Sequence, residues 1–270
     1  MPSIKSTVIK HFIESDMQSP EVLSLAGGNV VALCRRCPGR IEPNDDSAGV
    51  VETENGAIVL IVADGVGGGP MGHKASSIAV QSVSESVLDS KLTDLRPAIL
   101  DGIESANREI LDLGVGAATT IAVVEIQEHG VRGYQVGDSQ TVIFGQRGAI
   151  KWKSTPHSPV GYAVESGLLS ESDAMRHEER HIVSNLVGSR EMHIEIGPVH
   201  RMSQRDTVIV GTDGLFDNLH FDEIIALGRS GKPVDRVAKL AKLATSRMSQ
   251  VVEGQPGKPD DLTFLVYNRR

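Results

Sequence analysis

Aspartates placed where strands end are the first residues in this chain that could do chemistry. Asp64 follows the apolar run at 57–63 (AIVLIVA) and precedes Gly65. Asp138 follows Val136-Gly137, and Asp213 follows TVIVGT and precedes Gly214. Asp260 and Asp261 stand immediately before LTFLVY. A single Asp after a strand is ordinarily a turn former. Several such sites beside glycine make a second reading worth stating. In antiparallel sheets the C-terminal end of one strand lies beside the N-terminal end of the next, so these carboxylates could share one sheet edge. Clustered carboxylates repel one another and are costly to desolvate. Hard divalent cations with oxygen ligands offset that cost, which points to Mg²⁺ or Mn²⁺ rather than zinc. Two such ions could hold a bridging water, lower its pKa and neutralise charge on a transferring phosphoryl group.

The loop Gly65-Val66-Gly67-Gly68-Gly69-Pro70-Met71-Gly72 joins that first strand to a helix. Under the metal reading, Gly65 is the natural backbone-carbonyl donor. Residues 67–72 also match G-x-G-x-x-G, with Glu85 or Asp89 as the acidic partner of a dinucleotide site. Asp64 would repel a pyrophosphate there, and a second helix follows where a βαβ unit needs a parallel strand. A P-loop fits no better, because His73 separates Gly72 from Lys74.

The elements that must position these residues read as follows. Strand-like runs occupy 30–33, 48–51 and 57–63, and the last is apolar throughout, as expected of a strand buried on both faces. Ala75, Ala79, Val83 and Val87 mark one face of a helix over 74–90. Leu95, Ile99, Ile103, Ala106, Ile110 and Leu113 mark another over 95–113, with Asp94 at its start. Strands return at 119–126, 131–136 and 141–144, spaced as an antiparallel meander. Residues 154–190 are irregular, with a small helix near 170–178, and read as a flap. A strand at 207–211, helices at 222–229 and 234–250, and a strand at 262–267 complete the chain. Residues 1–28 show no clear periodicity. Two stacked sheets with helix pairs outside satisfy this order.

Bulk properties narrow the function classes. The chain has 270 residues, 40% of them hydrophobic and 3% aromatic, so it can bury a core built from Val, Ile, Leu and Ala. A formal net charge of −8 argues against nucleic acid as a partner. No apolar run reaches the length of a membrane span and the first residues lack a signal-peptide stretch, so the expected compartment is the cytoplasm, with no membrane partner. Cys34 and Cys37 are the two cysteines; with no further ligand pair they read as reduced thiols rather than a zinc site.

In chain order, several segments resemble one known family. Asp64-Gly65-Val66-Gly67-Gly68, then Gly72 and Ala75-Ser76, resemble the D-G-x-G-G…G…A-S element of the metal-dependent protein phosphatases of type 2C. Asn44-Asp45-Asp46-Ser47 is similar to the N-E-D element, and Gly116-Ala117-Ala118-Thr119-Thr120 to G-x-G-T-T. Val136-Gly137-Asp138-Ser139 resembles V-G-D-S-R, and His157-Ser158 with Glu165-Ser166-Gly167 resembles the flap. Thr212-Asp213-Gly214-Leu215-Phe216-Asp217 resembles S-D-G-L-W-D, and Asp260-Asp261-Leu262-Thr263 resembles D-N-x-T. The resemblance covers about residues 30–268.

What it implies is an α+β fold, a four-layer αββα sandwich of two mostly antiparallel sheets flanked by helix pairs. The phosphatase domain would span 29–270, with 1–28 an N-terminal extension or edge segment. The implied activity is hydrolysis of phosphoserine and phosphothreonine in proteins by direct attack of a water bridging two Mn²⁺ or Mg²⁺ ions. Asp64 would bridge both ions, with the Gly65 carbonyl on one and Asp213 and Asp260 on the other, so that Asp64, Asp213 and Asp260 carry the catalytic roles. Asp46, and less directly Asp45, would hold metal-bound waters, and Asp138 would join Asp213 at a weaker third metal site. The implied partners are a phosphorylated protein substrate and a cognate Ser/Thr kinase.

The departures from the pattern define a rival. The family's phosphate-gripping Arg falls at Ile41 here; Arg40 lies one residue earlier and takes the phosphate-binding role if the chain bulges near Pro43, with Arg35 and Arg36 as alternatives. Val66 stands where some members carry a His, and Gln140 replaces the Arg after G-D-S. A phosphatase-fold regulatory module that binds a phosphoprotein without turning it over is the alternative these departures motivate. His157 and the lone Trp152 read as structural, the Trp packed at a sheet edge.

Overall fold

The structure is a computed structural model that describes residues 7–66, 71–128, 130–250 and 252–269. Among the described residues, twelve strands form two six-stranded sheets. The first sheet has the order β1 (Val8–Ile13), β4 (Asp46–Glu52), β5 (Ile58–Asp64), β6 (Ile121–Gln127), β7 (Gly130–Val136) and β10 (Glu195–Ile196). The second runs β2 (Glu21–Ser24), β3 (Gly28–Arg35), β12 (Leu262–Arg269), β11 (Thr207–Gly211), β8 (Gln140–Phe144) and β9 (Ile150–Lys153). Every pairing within them is antiparallel.

Strand alternation divides the apolar residues among three cores. In β5, Ile58, Leu60 and Val62 face the space between the sheets. Val59, Ile61 and Ala63 face the helices α1 (Gly72–Asp89) and α2 (Arg96–Asp112). That double burial is why the strand is apolar at every position before its terminal Asp. In the second sheet, Val208 and Val210 of β11 face inward, while Ile209 packs under α6 (Phe221–Gly228) and α7 (Pro233–Ser249). The result is the expected four layers: helix pair, sheet, sheet, helix pair. The helix stripes are as read: Ala75, Ala79, Val83, Val87, Ile99 and Ile103 are all buried. Asp94 accepts a bond from the Arg96 amide (3.1 Å) just outside α2, whose N-cap is Leu95.

One expectation is sharpened and one needs correction. Of the extension or edge segment expected over 1–28, the described residues supply edge strands: β1 pairs with β4 and β2 with β3, one on each sheet. Edge strands bury only part of one face, so VIKHFI and EVLS lack a full apolar stripe. The flap helix expected at 170–178 is only the single turn α4 (Glu171–Ala174), preceded by α3 (Pro159–Glu165) and followed by a 3₁₀ turn (Glu178–His181). Single turns such as α4 and α5 (Asp213–Phe216) are too short to show helical periodicity. Trp152 stacks on His200 with ring centroids 5.5 Å apart and lies against Gly133 and Gly197, a packing role.

Candidate active site

Five acidic positions read from the sequence meet where the two sheets share an edge. Asp46 opens β4 and Asp64 closes β5, and the two are direct register partners. Asp213 begins α5 just beyond β11, and Asp260 lies just before β12, the antiparallel neighbour of β11. Gly214 permits this approach: a Cβ there would lie 1.8 Å from the Asp261 carbonyl oxygen. Asp138 follows Gly137, whose φ of +99° and closeness to Thr120 (2.6 Å from an added Cβ) leave room for glycine alone. The Thr212 hydroxyl donates to Asp46 Oδ2 (2.9 Å), tying the second sheet to the first.

Asp46 and Asp64 are each held by a scaffold. The Asn44 side chain accepts from the Asp46 amide (2.9 Å) and donates to the Ser15 carbonyl (2.7 Å). Its amide also donates to Cys34 Sγ (3.4 Å), and the Thr263 hydroxyl donates to the same sulfur (3.2 Å). Burial pushes the Cys34 thiol up to about 12, so it serves as a neutral acceptor. Both cysteines are free thiols. Thr119 and Thr120 fasten the carbonyl of Asp64 through a hydroxyl (2.7 Å) and an amide (2.8 Å), and the Asp64 amide donates to the Thr120 hydroxyl (3.2 Å). The Gly65 amide donates to the Asp45 carbonyl (3.1 Å), and residues 67–70 lie outside the described residues.

Two acidic residues matter more than their motifs suggested. Asp261 is 2% exposed and accepts from the amides of Cys37 (2.6 Å) and Asp45 (2.7 Å) and from Arg40 Nη1 (3.2 Å). It therefore fixes the 37–45 loop against the acidic edge. Asp217 lies one turn beyond Asp213, its amide bonded to the Asp213 carbonyl (2.7 Å). The sequence signal for both was a place in the same motif as a ligand Asp, Asp261 directly after Asp260 and Asp217 four residues after Asp213, which does not distinguish a ligand from an anchor.

Of the three arginines considered, only Arg40 reaches this edge. Its guanidinium lies 3.4 Å from Asp45 and 3.2 Å from Asp261. Arg35 donates to the carbonyls of Met17 and Gln18, and Arg36 binds Asp16 and the Ile41 carbonyl, both away from the edge.

The electrostatics are those of carboxylates crowded together. Burial first, then Asp261 and Asp260, hold Asp46 well above the ordinary carboxylate range. Burial and the charges of Asp46, Asp213, Asp260 and Asp138 do the same to Asp64. Burial with Asp213 and Asp217 pushes Asp138 to about 8; burial with Asp213 pushes Asp217 to about 7 and Asp260 to about 6. One cation sits among them. Lys258 Nζ bonds Asp213 and lies 3.1 Å from Asp260 and 3.5 Å from Asp217. Burial works against its charge, but these three carboxylates outweigh it and raise the ammonium pKa. Among the described residues, no three acidic, His or Cys side chains converge tightly enough, as they stand, to hold one ion. The donor set nevertheless fits hard divalent cations: it is all oxygen, and the buried Asp213 Oδ1 accepts no hydrogen bond.

The flap is fastened beside Asp138, the His157 amide donating to the Gly137 carbonyl (3.0 Å). His157 is 1% exposed; its Nδ1 accepts from the Gly137 amide (3.2 Å) and Asn185 (2.9 Å), which leaves Nε2–H to donate to Glu195 (3.0 Å). Burial lowers its pKa despite Glu195, so the ring is neutral and structural, as expected. A cavity of about 420 Å³ opens between the flap and α5–α6, lined by Asp138 and Asp213 and by the apolar Val160, Met175 and Phe221.

Comparison with known proteins bears on the family and the fold. Residues 36–250 match the family model described as protein phosphatase 2C. The chain is 30% identical over 244 residues to the serine/threonine phosphatase stp of Listeria monocytogenes, covering 86% of this chain and 92% of that one. It is 26% identical to the protein phosphatase PhpP of Streptococcus pneumoniae, over 75% of this chain and 86% of the relative. Among solved structures, the S. agalactiae serine/threonine phosphatase superposes with a TM-score of 0.76 at 27% identity, covering 89% of this chain and 99% of that one. Stp1 of Staphylococcus aureus shares the fold with a TM-score of 0.78 at 22% identity, over 92% and 98% of the two chains. The chain belongs to the protein phosphatase 2C family.

Proposed function

We propose that this chain is a protein serine/threonine phosphatase that hydrolyses phosphoserine and phosphothreonine with two divalent cations, Mn²⁺ or Mg²⁺, at the shared sheet edge. Metal dependence is general to the family. Asp64 and the Gly65 carbonyl would hold one ion, and Asp64, Asp213 and Asp260 the other. Asp46 lies behind them as an outer acceptor, and Asp138 with Asp213 forms a weaker third position. When bound, such ions supply positive charge opposite the phosphoryl oxygens and make water acidic enough to act as a nucleophile at neutral pH.

The chain's own residues do the rest. Thr212 holds the Asp46 carboxylate, and Asn44 and Thr120 hold the backbone of Asp46 and Asp64, before substrate arrives, so little reorganisation accompanies the reaction. Arg40 presents a guanidinium at the same edge, suited to a two-point grip on phosphate. Asp45 and Asp261 orient it. The cavity beneath the flap gives the peptide around the phosphorylated residue an apolar wall and keeps bulk water off one side. The domain would span 29–270, with 1–28 supplying edge strands. The partner would be a phosphoprotein made by a cognate Ser/Thr kinase in the cytoplasm, with no nucleic acid or membrane involved.

The observation that carries this reading is the convergence of Asp46, Asp64, Asp138, Asp213 and Asp260 from both sheets onto one edge beside Arg40. Hydrolysis of p-nitrophenyl phosphate with and without Mn²⁺, alongside Asp64→Ala, tests it. Mn²⁺-dependent turnover lost in the variant is expected. A folded, Mn²⁺-loaded wild type without turnover would favour the regulatory module instead.

A further inference from the structure

Lys258 is the one described cation placed within the ligand carboxylates rather than beside them: its Nζ bonds Asp213 and lies 3.1 Å from Asp260 and 3.5 Å from Asp217. Its position is built, not incidental. The backbone of Lys258 is clamped in both directions by Asn218, a fully buried side chain. Asn218 Oδ1 accepts from the Lys258 amide (2.8 Å), and Asn218 Nδ2 donates to the Lys258 carbonyl (3.0 Å) and to the Gly214 carbonyl (3.0 Å). One side chain thus locks the lysine segment to the residue next to Asp213. Arg180, in the 3₁₀ turn of the flap, donates to the carbonyl of Gly257 (3.3 Å). Pro259 separates Lys258 from Asp260 and stiffens the short link between them.

We propose that Lys258 is a tethered cation that shares Asp213, Asp217 and Asp260 and thereby sets how much metal the outer half of the site demands. The inference rests on the metal-centre reading above. An ammonium group is a compact charge of the same sign as the metal and competes for the same lone pairs. A divalent ion held by Asp213 and Asp260 must push the ammonium aside, so its binding is weakened. In return the metal-free carboxylates keep a counter-charge, which protects the fold when metal is scarce. The lysine is therefore a metal-affinity determinant, acting through the ligands rather than on the substrate.

The test is calorimetric titration of metal-stripped protein with Mn²⁺, wild type beside Lys258→Met, with thermal melts of both metal-free forms. The variant should bind Mn²⁺ more tightly by about tenfold, the low end of what neighbours of a metal site contribute. Its metal-free Tm should fall while its gain in Tm on adding Mn²⁺ grows. Equal Mn²⁺ affinity in the two proteins would overturn the inference and leave the metal centre standing. No Mn²⁺ binding by either would overturn the metal centre itself, and the inference with it. Should Lys258→Met fail to fold without metal, a spectroscopic signal from the wild type supplies the answer. With ¹³Cε-labelled lysine, assigned by its loss in Lys258→Arg, the Lys258 signal should move on saturation with Mg²⁺. A signal that stays in place at saturation would overturn the proposal.

Discussion

The space between the sheets and the edge where the sheets end are built on the same strands and obey opposite rules. In β5, Leu60 and Val62 are fully buried among apolar neighbours, and two residues later Asp64 faces four other carboxylates. In β11, Val208 and Val210 repeat the pattern before Thr212 and Asp213. The interior gains by excluding water, each fully buried Leu or Val contributing roughly 1.5–3 kcal/mol. The edge stores repulsion, offset in part by Lys258 and Arg40. The contrast teaches that the strand interiors supply the stability that lets their ends hold an arrangement no isolated peptide would keep.

The sharpest way to break that comparison is to exchange the effects. Asp213→Ala should lower turnover by roughly 10²–10³ or more, the scale of losing an electrostatic stabiliser in an enclosed site, while the metal-free Tm holds or rises. A large fall in Tm would mean the edge is structural after all. Leu60→Ala should do the reverse, costing about 2–5 kcal/mol in denaturant unfolding while the folded fraction binds Mn²⁺ as before. Arg40→Ala should lower kcat/KM for a phosphopeptide by the equivalent of about 1.5–3 kcal/mol, as expected of a charge-assisted bond. Arg40→Lys should recover only part, because an ammonium cannot fork. An unchanged kcat/KM in Arg40→Ala would move the phosphate grip elsewhere.

The smallest effect is a pH dependence of opposite sign to most acidic proteins. Asp138 at about 8 and Asp217 at about 7 are raised above the unfolded value, so the folded metal-free protein holds protons that the unfolded chain releases. Their stabilisation is complete below the unfolded carboxylate value of about 4 and is lost as pH rises from there through the folded values. The metal-free Tm should fall between about pH 5 and about 8 and level off above, and Asp138→Asn should flatten the slope. A Tm that rises over that interval would contradict the crowding described above.

Much of this was legible in the sequence because the rules concerned are local. The double burial of β5 shows as an unbroken apolar run, and the strand-end aspartates show as Asp beside Gly. The edge strands β1 and β2 did not show, because half-exposed strands carry no decisive stripe. The roles of Asp261, Asp217 and Lys258 did not show either. Each depends on a partner 40 or more residues away: Asp261 on Arg40 and Cys37, and Lys258 on Asn218, Asp217 and Asp213. Local spacing cannot say whether an Asp next to a ligand is itself a ligand or the anchor of a loop.

The most direct test of the central claim is hydrolysis of a phosphothreonine peptide by metal-stripped wild type, by the same sample with Mn²⁺ restored, and by Asp213→Ala with Mn²⁺. Turnover in the second sample alone is the predicted result. Equal turnover in the first and second, or in the second and third, would contradict a carboxylate-held metal centre at this edge.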